Sequence, residues 1–317
     1  MLTNQIRDVE VHLGFPCNNN CIFCMANKEY RKNKFFSYEK VIKQISAYAK
    51  KGFNSIGFLG GEPTLHPRII DIVRHANKAG MKSIHIVTNG RRLADGVFLN
   101  NLIASGVNRI SVSIHSHLPK LEDNLTQVQG SFSQKLNGLH NIIQLQRKNK
   151  SINVSINIVI NKMNIKSISE SVKYFANLGY KDYRLNFIQT EGSARDNFEK
   201  LIPYYKNVYV LFKKVVDFAK KNTLTVSFAD LPFCVIDKYP EFYKYTSELK
   251  DCYNFVVMMG APNCDRTIKH FSWENVRKNE LKMKPKKCNR CQYNKICEGI
   301  WKEYAKRIGY TELIPRK

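Results

Sequence analysis

Cys17, Cys21 and Cys24 stand in the segment Pro16-Cys-Asn-Asn-Asn-Cys-Ile-Phe-Cys24. Three thiolates at this C-x3-C-x2-C spacing can hold three corners of a cubane iron–sulfur cluster and leave the fourth iron open. An open iron can bind a substrate or cofactor directly, whereas a fully ligated cluster mostly carries electrons or staples the chain. A zinc site completed by His12 or a later cysteine is the competing reading. A second group, Cys288, Cys291 and Cys297, has C-x2-C-x5-C spacing, with Cys234 upstream in Leu231-Pro-Phe-Cys234. Four thiolates either complete a cubane with no open iron or make a tetrahedral zinc site, and spacing alone does not separate the two. Cys252 and Cys264 compete with Cys234 as the fourth ligand.

Gly60-Gly61-Glu62-Pro63 is the third chemical feature. Two glycines permit close approach of backbone to a ligand, Pro63 stiffens the exit, and Glu62 places a carboxylate there, a combination suited to an ammonium group. Taken alone the four residues describe a turn. Their weight comes from falling at the end of a strand, as the first cysteines do.

The elements that must position these groups alternate regularly. Strands are expected over Asp8 to Phe15, Asn54 to Leu59, Lys82 to Thr88, Arg109 to His115, Ile152 to Ile160 and Tyr183 to Ile188. Helices are expected between them over Tyr38 to Lys51, Arg68 to Ala79, Val97 to Ser105, Ser131 to Lys148 and Ile165 to Leu178. Ser37 reads as an N-cap, while Gly80, Gly106 and Gly179 stop their helices. Strands separated by helix-length segments are parallel and joined by right-handed crossovers, so six β/α steps leave an open doubly wound sheet or a full or partial barrel. A helix over Tyr204 to Lys221 and a strand over Leu224 to Phe228 follow, and the rhythm ends near residue 230. Residues 1–229 are therefore read as the main α/β domain, and residues 230–317 as a cysteine-rich extension packed on it.

Among these 317 residues no apolar run approaches the roughly 18 needed to span a bilayer, so no membrane association is expected. The start lacks the layout of a secretory signal, and nine cysteines in two tight groups suit metal ligation in a reducing cytoplasm. The net charge of +25 admits a nucleic acid as partner, yet the lysines are scattered and the densest run, Lys282 to Lys287 followed by Arg290, lies beside cysteines. Nucleic acid is not the favoured partner.

With both motifs on successive β/α units, the chain resembles the radical S-adenosylmethionine enzymes over about residues 8 to 190. Cys17, Cys21, Phe23 and Cys24 match that family's C-x3-C-x-aromatic-C loop, and Gly60 to Pro63 its Gly-Gly-Glu-Pro segment. The resemblance implies a partial (β/α)6 TIM-like barrel with a 4Fe-4S cluster that binds S-adenosylmethionine through its amino and carboxylate groups. Reductive cleavage would give methionine and a 5′-deoxyadenosyl radical that takes a hydrogen atom from the substrate. It implies that Phe23 shields the cluster and that Glu62 and its neighbours receive the methionyl ammonium. The sixth-strand Asn186 and the residues Asn89, Ser111, Ser113, His115 and Asn157 are candidates for reaching the cofactor from inside the barrel, Ser113 being the preferred ribose contact. Gly192 falls where substrate-facing loops occur, while Arg184, Arg195 and Asp196 are read chiefly as surface charge.

The second cysteine run resembles the SPASM and twitch extensions, which hold an auxiliary 4Fe-4S cluster. Trp301 stands where the longer SPASM pattern has another cysteine, so the twitch form with one cluster, on Cys234, Cys288, Cys291 and Cys297, fits better. An auxiliary cluster that takes an electron from a substrate radical allows oxidation or cross-linking of a small metabolite or peptide, with flavodoxin or ferredoxin as reductant. Only sixteen residues precede Cys17, fewer than the leader-binding domain of many peptide-modifying relatives. The family's pterin-forming cyclase ends in paired glycines, unlike Glu312-Leu-Ile-Pro-Arg-Lys317, and is disfavoured. An RNA-modifying enzyme of the same family and a non-catalytic iron–sulfur or zinc protein are the alternatives.

Overall fold

The computed structural model describes residues 7–26, 34–149, 151–236, 242, 253–255 and 273–317. Seven strands lie side by side in chain order: β1 (Arg7–His12), β2 (Ser55–Leu59), β3 (Ser83–Thr88), β4 (Arg109–Ser113), β5 (Asn153–Ile160), β6 (Asp182–Phe187) and β7 (Thr225–Ala229). Every neighbouring pair is parallel. An eighth strand, β8 (Tyr253–Phe255), pairs in parallel on the free side of β1, so the cysteine-rich extension lends a strand to the main sheet. The result is an open barrel, and the six expected β/α steps are all present.

Helices α1 (Tyr38–Lys50), α2 (Ile69–Lys78), α3 (Gly96–Ala104), α4 (Pro119–Thr126), α5 (Ser131–Lys148) and α6 (Ile168–Asn177) fall between successive strands. Two single turns, α7 (Ser193–Asp196) and α8 (Phe198–Leu201), precede α9 (Tyr205–Lys221), and α10 (Phe233–Ile236) follows β7. The Ser37 side chain accepts the Lys40 N–H at 3.4 Å, the cap expected for α1. Val41, Ile45 and Tyr48 form the buried stripe of that helix.

Alternation along the strands explains why the barrel can hold a ligand. On β3 and β6 the residues that face the helices, Ile84, Ile86, Tyr183, Leu185 and Phe187, are at most 1% exposed. Their neighbours His85, Arg184 and Asn186 are half-buried and belong to the opposite face. A parallel strand buried on both sides reads as a continuous apolar run, so this alternation marks a polar interior open to solvent.

The extension is fixed to the barrel by a buried ion network. Lys282 Nζ lies 3.3 Å from Asp230 at the end of β7 and 2.7 Å from Glu298, and Arg277 meets Glu298 at 2.8 Å. Burial opposes ionisation of Asp230, but Lys282 and Arg277 outweigh it and hold its carboxyl below the usual range. Tyr205 and Tyr304 add ring packing at 4.3 Å between centroids. No helix among the described residues is long and apolar enough to cross a membrane.

Candidate active site

Cys17, Cys21 and Cys24 follow β1 at the carboxyl edge of the sheet, and each is partly exposed. Their loop is held mostly through its backbone. Asn20 and Ile22 donate N–H bonds to Thr126 O (2.9 Å) and Leu125 O (3.1 Å) at the end of α4, and Ser193 N–H donates to Cys24 O at 2.9 Å. Cys17 Sγ accepts from Asn19 N–H at 3.4 Å and faces Asn89 Nδ2 at 3.9 Å. Burial pushes the Cys21 thiol up to about 12, with Lys135 opposing and Cys24 and Cys17 adding to the shift. The three sulfurs thus lie within electrostatic reach of one another. This donor set fits a three-thiolate cluster.

The Gly-Gly-Glu-Pro segment packs against the cysteine loop. A Cβ on Gly61 would lie 2.2 Å from Phe15 O, and one on Gly60 would lie 2.4 Å from Gly14 O. The glycines therefore admit the backbone of the cysteine loop itself, and Gly61 and Glu62 N–H donate to Gly14 O and Pro16 O at 2.8 Å. Glu62 is 1% exposed, and its carboxylate is already engaged. It accepts from Thr64 N–H (3.1 Å), the hydroxyls of Thr64 and Thr88 (2.6 Å each) and Asn89 N–H (2.6 Å). Burial still raises its pKa against those four bonds. Glu62 is thus a brace between the β2 and β3 exits. Pro63 opens the short 3-10 turn Pro63–Leu65, capped by Glu62.

Inside the barrel two polar tiers are visible. In the deeper one, His85 Nε2 meets Ser111 Oγ at 2.8 Å, which meets Ser155 Oγ at 2.6 Å. Ser111 is 2% exposed and faces two partners within the wall of the barrel. Nearer the cysteine edge, Asn186 Nδ2 donates to Asn157 Oδ1 (2.5 Å), and Asn157 Nδ2 donates to Ser113 Oγ (3.2 Å). These three remain partly exposed and form one chain across β4, β5 and β6.

Asn89 binds the cysteine loop: its Nδ2 donates to Asn18 Oδ1 at 2.7 Å, and its Oδ1 accepts the Arg91 N–H. His115 turns away from the interior, accepting Val159 N–H at 3.1 Å and packing edge-on against Phe23 at 4.6 Å. Burial lowers His115 to about 4. Phe23 is buried in the core with it. Arg184 lies on the interior side of β6, whereas Arg195 is a surface residue 3.7 Å from Glu191.

Some working residues escaped sequence reasoning. Glu122 and Lys135 form an ion pair at 2.5 Å, and both are wholly buried. Glu122 also accepts His115 N–H (2.7 Å) and Ser116 N–H (2.9 Å), while Lys135 Nζ donates to Ser113 O at 3.0 Å. The pair ties α4, and through it the cysteine loop, to the end of β4. Gly192, at φ +56°, passes so close that a Cβ would lie 2.1 Å from Met25 O, which gives this glycine a packing role at the cluster loop. Arg91 Nη1 reaches Asn18 O and Asn19 Oδ1. Gly192 stands out in the sequence as a loop glycine, whereas a charged pair spaced thirteen residues apart gives no signal.

Cys234, Cys288, Cys291 and Cys297 line one pocket with Phe233, Tyr293 and Leu313. Burial pushes the Cys234 thiol up to about 11, and the other three thiols add to the shift. Gly299 N–H donates to Cys297 Sγ at 3.3 Å and Arg316 N–H to Cys291 Sγ at 3.4 Å. Among the described residues no three His, Cys, Asp or Glu side chains close on a point as a single-ion site does. Cys252 and Cys264 lie outside the described residues.

The Radical SAM superfamily model matches residues 13–175, and the chain belongs to that superfamily. It is accordingly an enzyme of the radical S-adenosylmethionine type, with the iron–sulfur and S-adenosylmethionine chemistry of that family. Probable GTP 3′,8-cyclases are among its relatives. That of Saccharolobus islandicus (strain M.14.25 / Kamchatka #1) is 27% identical over 195 residues, 62% of this chain and 61% of the relative. That of Sulfurisphaera tokodaii is 26% identical over 62% of this chain and 60% of its own length. The chain thus spans about three fifths of these relatives. Among solved structures, Streptococcus suis SuiB bound to S-adenosylmethionine superposes with a TM-score of 0.66 at 18% identity, over 92% of this chain and 72% of SuiB. The structure of anSMEcpe with bound AdoMet and Cp18Cys peptide gives 0.63 at 17% identity, over 98% of this chain and 92% of that one. These likenesses establish the partial-barrel fold.

Proposed function

We propose that this enzyme abstracts a hydrogen atom from a small metabolite or peptide held in the barrel, and completes an oxidation or cross-link with the help of a second 4Fe-4S cluster. Three thiols at the rim of an open barrel with a polar interior carry this reading. Cys17, Cys21 and Cys24 would hold the first cluster. When bound, that cluster and S-adenosylmethionine supply a 5′-deoxyadenosyl radical.

The chain's own residues then bind and orient. The Gly60 and Gly61 carbonyls would receive the methionyl ammonium, and Ser113 and Asn157 would meet the ribose. Arg184 and Asn186, on the interior side of β6, would face the substrate. Residues 230–317 form a twitch-like domain in which Cys234, Cys288, Cys291 and Cys297 hold the auxiliary cluster; the pocket they share supports this. The peptide named in the anSMEcpe structure and the nucleotide named for the cyclase relatives both fall within the proposed substrate range.

Anaerobic reconstitution, reduction with dithionite and chromatographic detection of 5′-deoxyadenosine test the mechanism. Cleavage of S-adenosylmethionine should occur in the native chain and vanish when Cys17, Cys21 and Cys24 are replaced by Ala. Equal cleavage by that variant would overturn it.

A further inference from the structure

An ion pair is a costly way to brace two helices, because well-packed apolar side chains hold them without taking an ammonium and a carboxylate out of water. Glu122 on α4 and Lys135 on α5 are nevertheless both wholly buried, 2.5 Å apart. Their place beside the first thiols is fixed by backbone contacts. Asn20 and Ile22, on either side of Cys21, donate N–H bonds to Thr126 O (2.9 Å) and Leu125 O (3.1 Å), in the turn that follows Glu122. Phe23 packs on His115, whose N–H donates to Glu122 at 2.7 Å, and Lys135 Nζ donates to Ser113 O at 3.0 Å.

The two charges do not cancel at Cys21. Among the charges that act on its thiol, Lys135 is the strongest, ahead of Cys24 and Cys17, and Glu122 is the weakest. Two other basic groups at this loop act differently: Arg91 is half-buried at Asn18 O and Asn19 Oδ1, where water screens it, and burial keeps His115 neutral. Three thiolates leave a cubane cluster negatively charged, and reduction adds a further negative charge. An ammonium sealed from water beside such a cluster favours its reduced form.

We propose that Lys135, kept charged by Glu122 and Ser113 O, raises the reduction potential of the cluster on Cys17, Cys21 and Cys24, so that the electron needed to cleave S-adenosylmethionine is loaded more readily. Lys135 is a positioning residue, acting through its field at Cys21. The cluster gains one electron as a one-electron reductant loses one, and no bond of the chain is made or broken. The inference rests on the reading that these three thiols hold the first cluster.

The test is an anaerobic redox titration of the reconstituted full chain with dithionite, followed by electron paramagnetic resonance. The first cluster's signal is the one that added S-adenosylmethionine alters. In Glu122→Gln/Lys135→Met both charges are replaced by neutral side chains of similar size, which preserves the fold. At the native midpoint the ratio of reduced to oxidised first cluster should fall about ten-fold, a shift of about 59 mV for one electron, with an unchanged line shape. Glu122→Gln alone weakens the brace but keeps the ammonium, so its midpoint should not fall below the native one. A native midpoint in the double variant overturns the inference. So does a fall with an altered line shape, or an equal fall in both variants, since the pair would then act through loop geometry. A native chain with no signal that S-adenosylmethionine alters overturns the first-cluster reading as well.

Discussion

The thiols at residues 17, 21 and 24 and those at 234, 288, 291 and 297 sit in contrasting surroundings. The first three hang from a loop braced on several sides, by α4, by the β2 and β3 exits through Glu62, and by Gly192. The last four line a pocket in a small domain, with sulfur-directed N–H groups from Gly299 and Arg316 and a basic, partly apolar surface outside. A cluster that must keep one iron open depends on a rigid loop, because no fourth protein ligand fixes its orientation. A fully ligated cluster is fixed by its own four bonds and asks less of its surroundings.

The comparison is broken most directly at the second site. Replacing Cys288 and Cys291 with Ala should remove that cluster and product formation, while S-adenosylmethionine cleavage persists. Iron analysis and 5′-deoxyadenosine yield on one preparation check this, and loss of cleavage would mean that the sites are not independent.

Rigidity of the first site is tested at its buried ion pair. Glu122→Gln leaves the Lys135 charge buried and unpaired, at a cost of about 3–5 kcal/mol of stability in urea unfolding. Adding Lys135→Met should recover most of the loss, because the charge is then gone as well. Native stability in the single variant would show that the pair does not brace the loop.

A smaller effect is expected at Gly192. Alanine there meets Met25 O and is strained at φ +56°, costing about 1–3 kcal/mol. S-adenosylmethionine affinity should weaken while the auxiliary cluster's spectrum stays native; unchanged affinity would relieve Gly192 of a role at the loop.

The smallest and most diffuse effect is that of pH. His12 and His115 are both lowered to about 4 by burial, and each accepts a backbone N–H, from Gly14 and Val159, that only the neutral ring can take. Since the unfolded rings titrate near 6.5, the stability these groups confer is complete above that value. It is lost as pH falls toward 4, at about 1.4 kcal/mol per pH unit for each ring. Denaturation of the apoprotein at pH 7 and pH 5 measures this, and hydrogen exchange should place the loss around the first site. Equal stability at the two values would show that the rings are hydrated.

Cysteine spacing, the Gly-Gly-Glu-Pro turn and the alternation of strands and helices were legible because each is local: thiol spacing limits cluster type, and helix-length connections impose parallel pairing. The shared face of Ser111 and Ser113 on β4 belongs with them, since a period of two assigns faces without a structure. The role of Glu62 did not, because a carboxylate that suits an ammonium also suits four protein donors, and which it meets depends on where Thr88 and Asn89 arrive. Ser111 and Ser113 occupy the same face of β4, yet only depth along the strand separates the buried residue from the partly exposed one. The Glu122–Lys135 pair joins two helices through burial that no pattern of charges announces. The sequence by itself determined which atoms could do the chemistry; tertiary packing decided which of them are spent holding the loop and which are left to face a ligand, because hydrogen-bond capacity and exposure are properties of assembled surroundings.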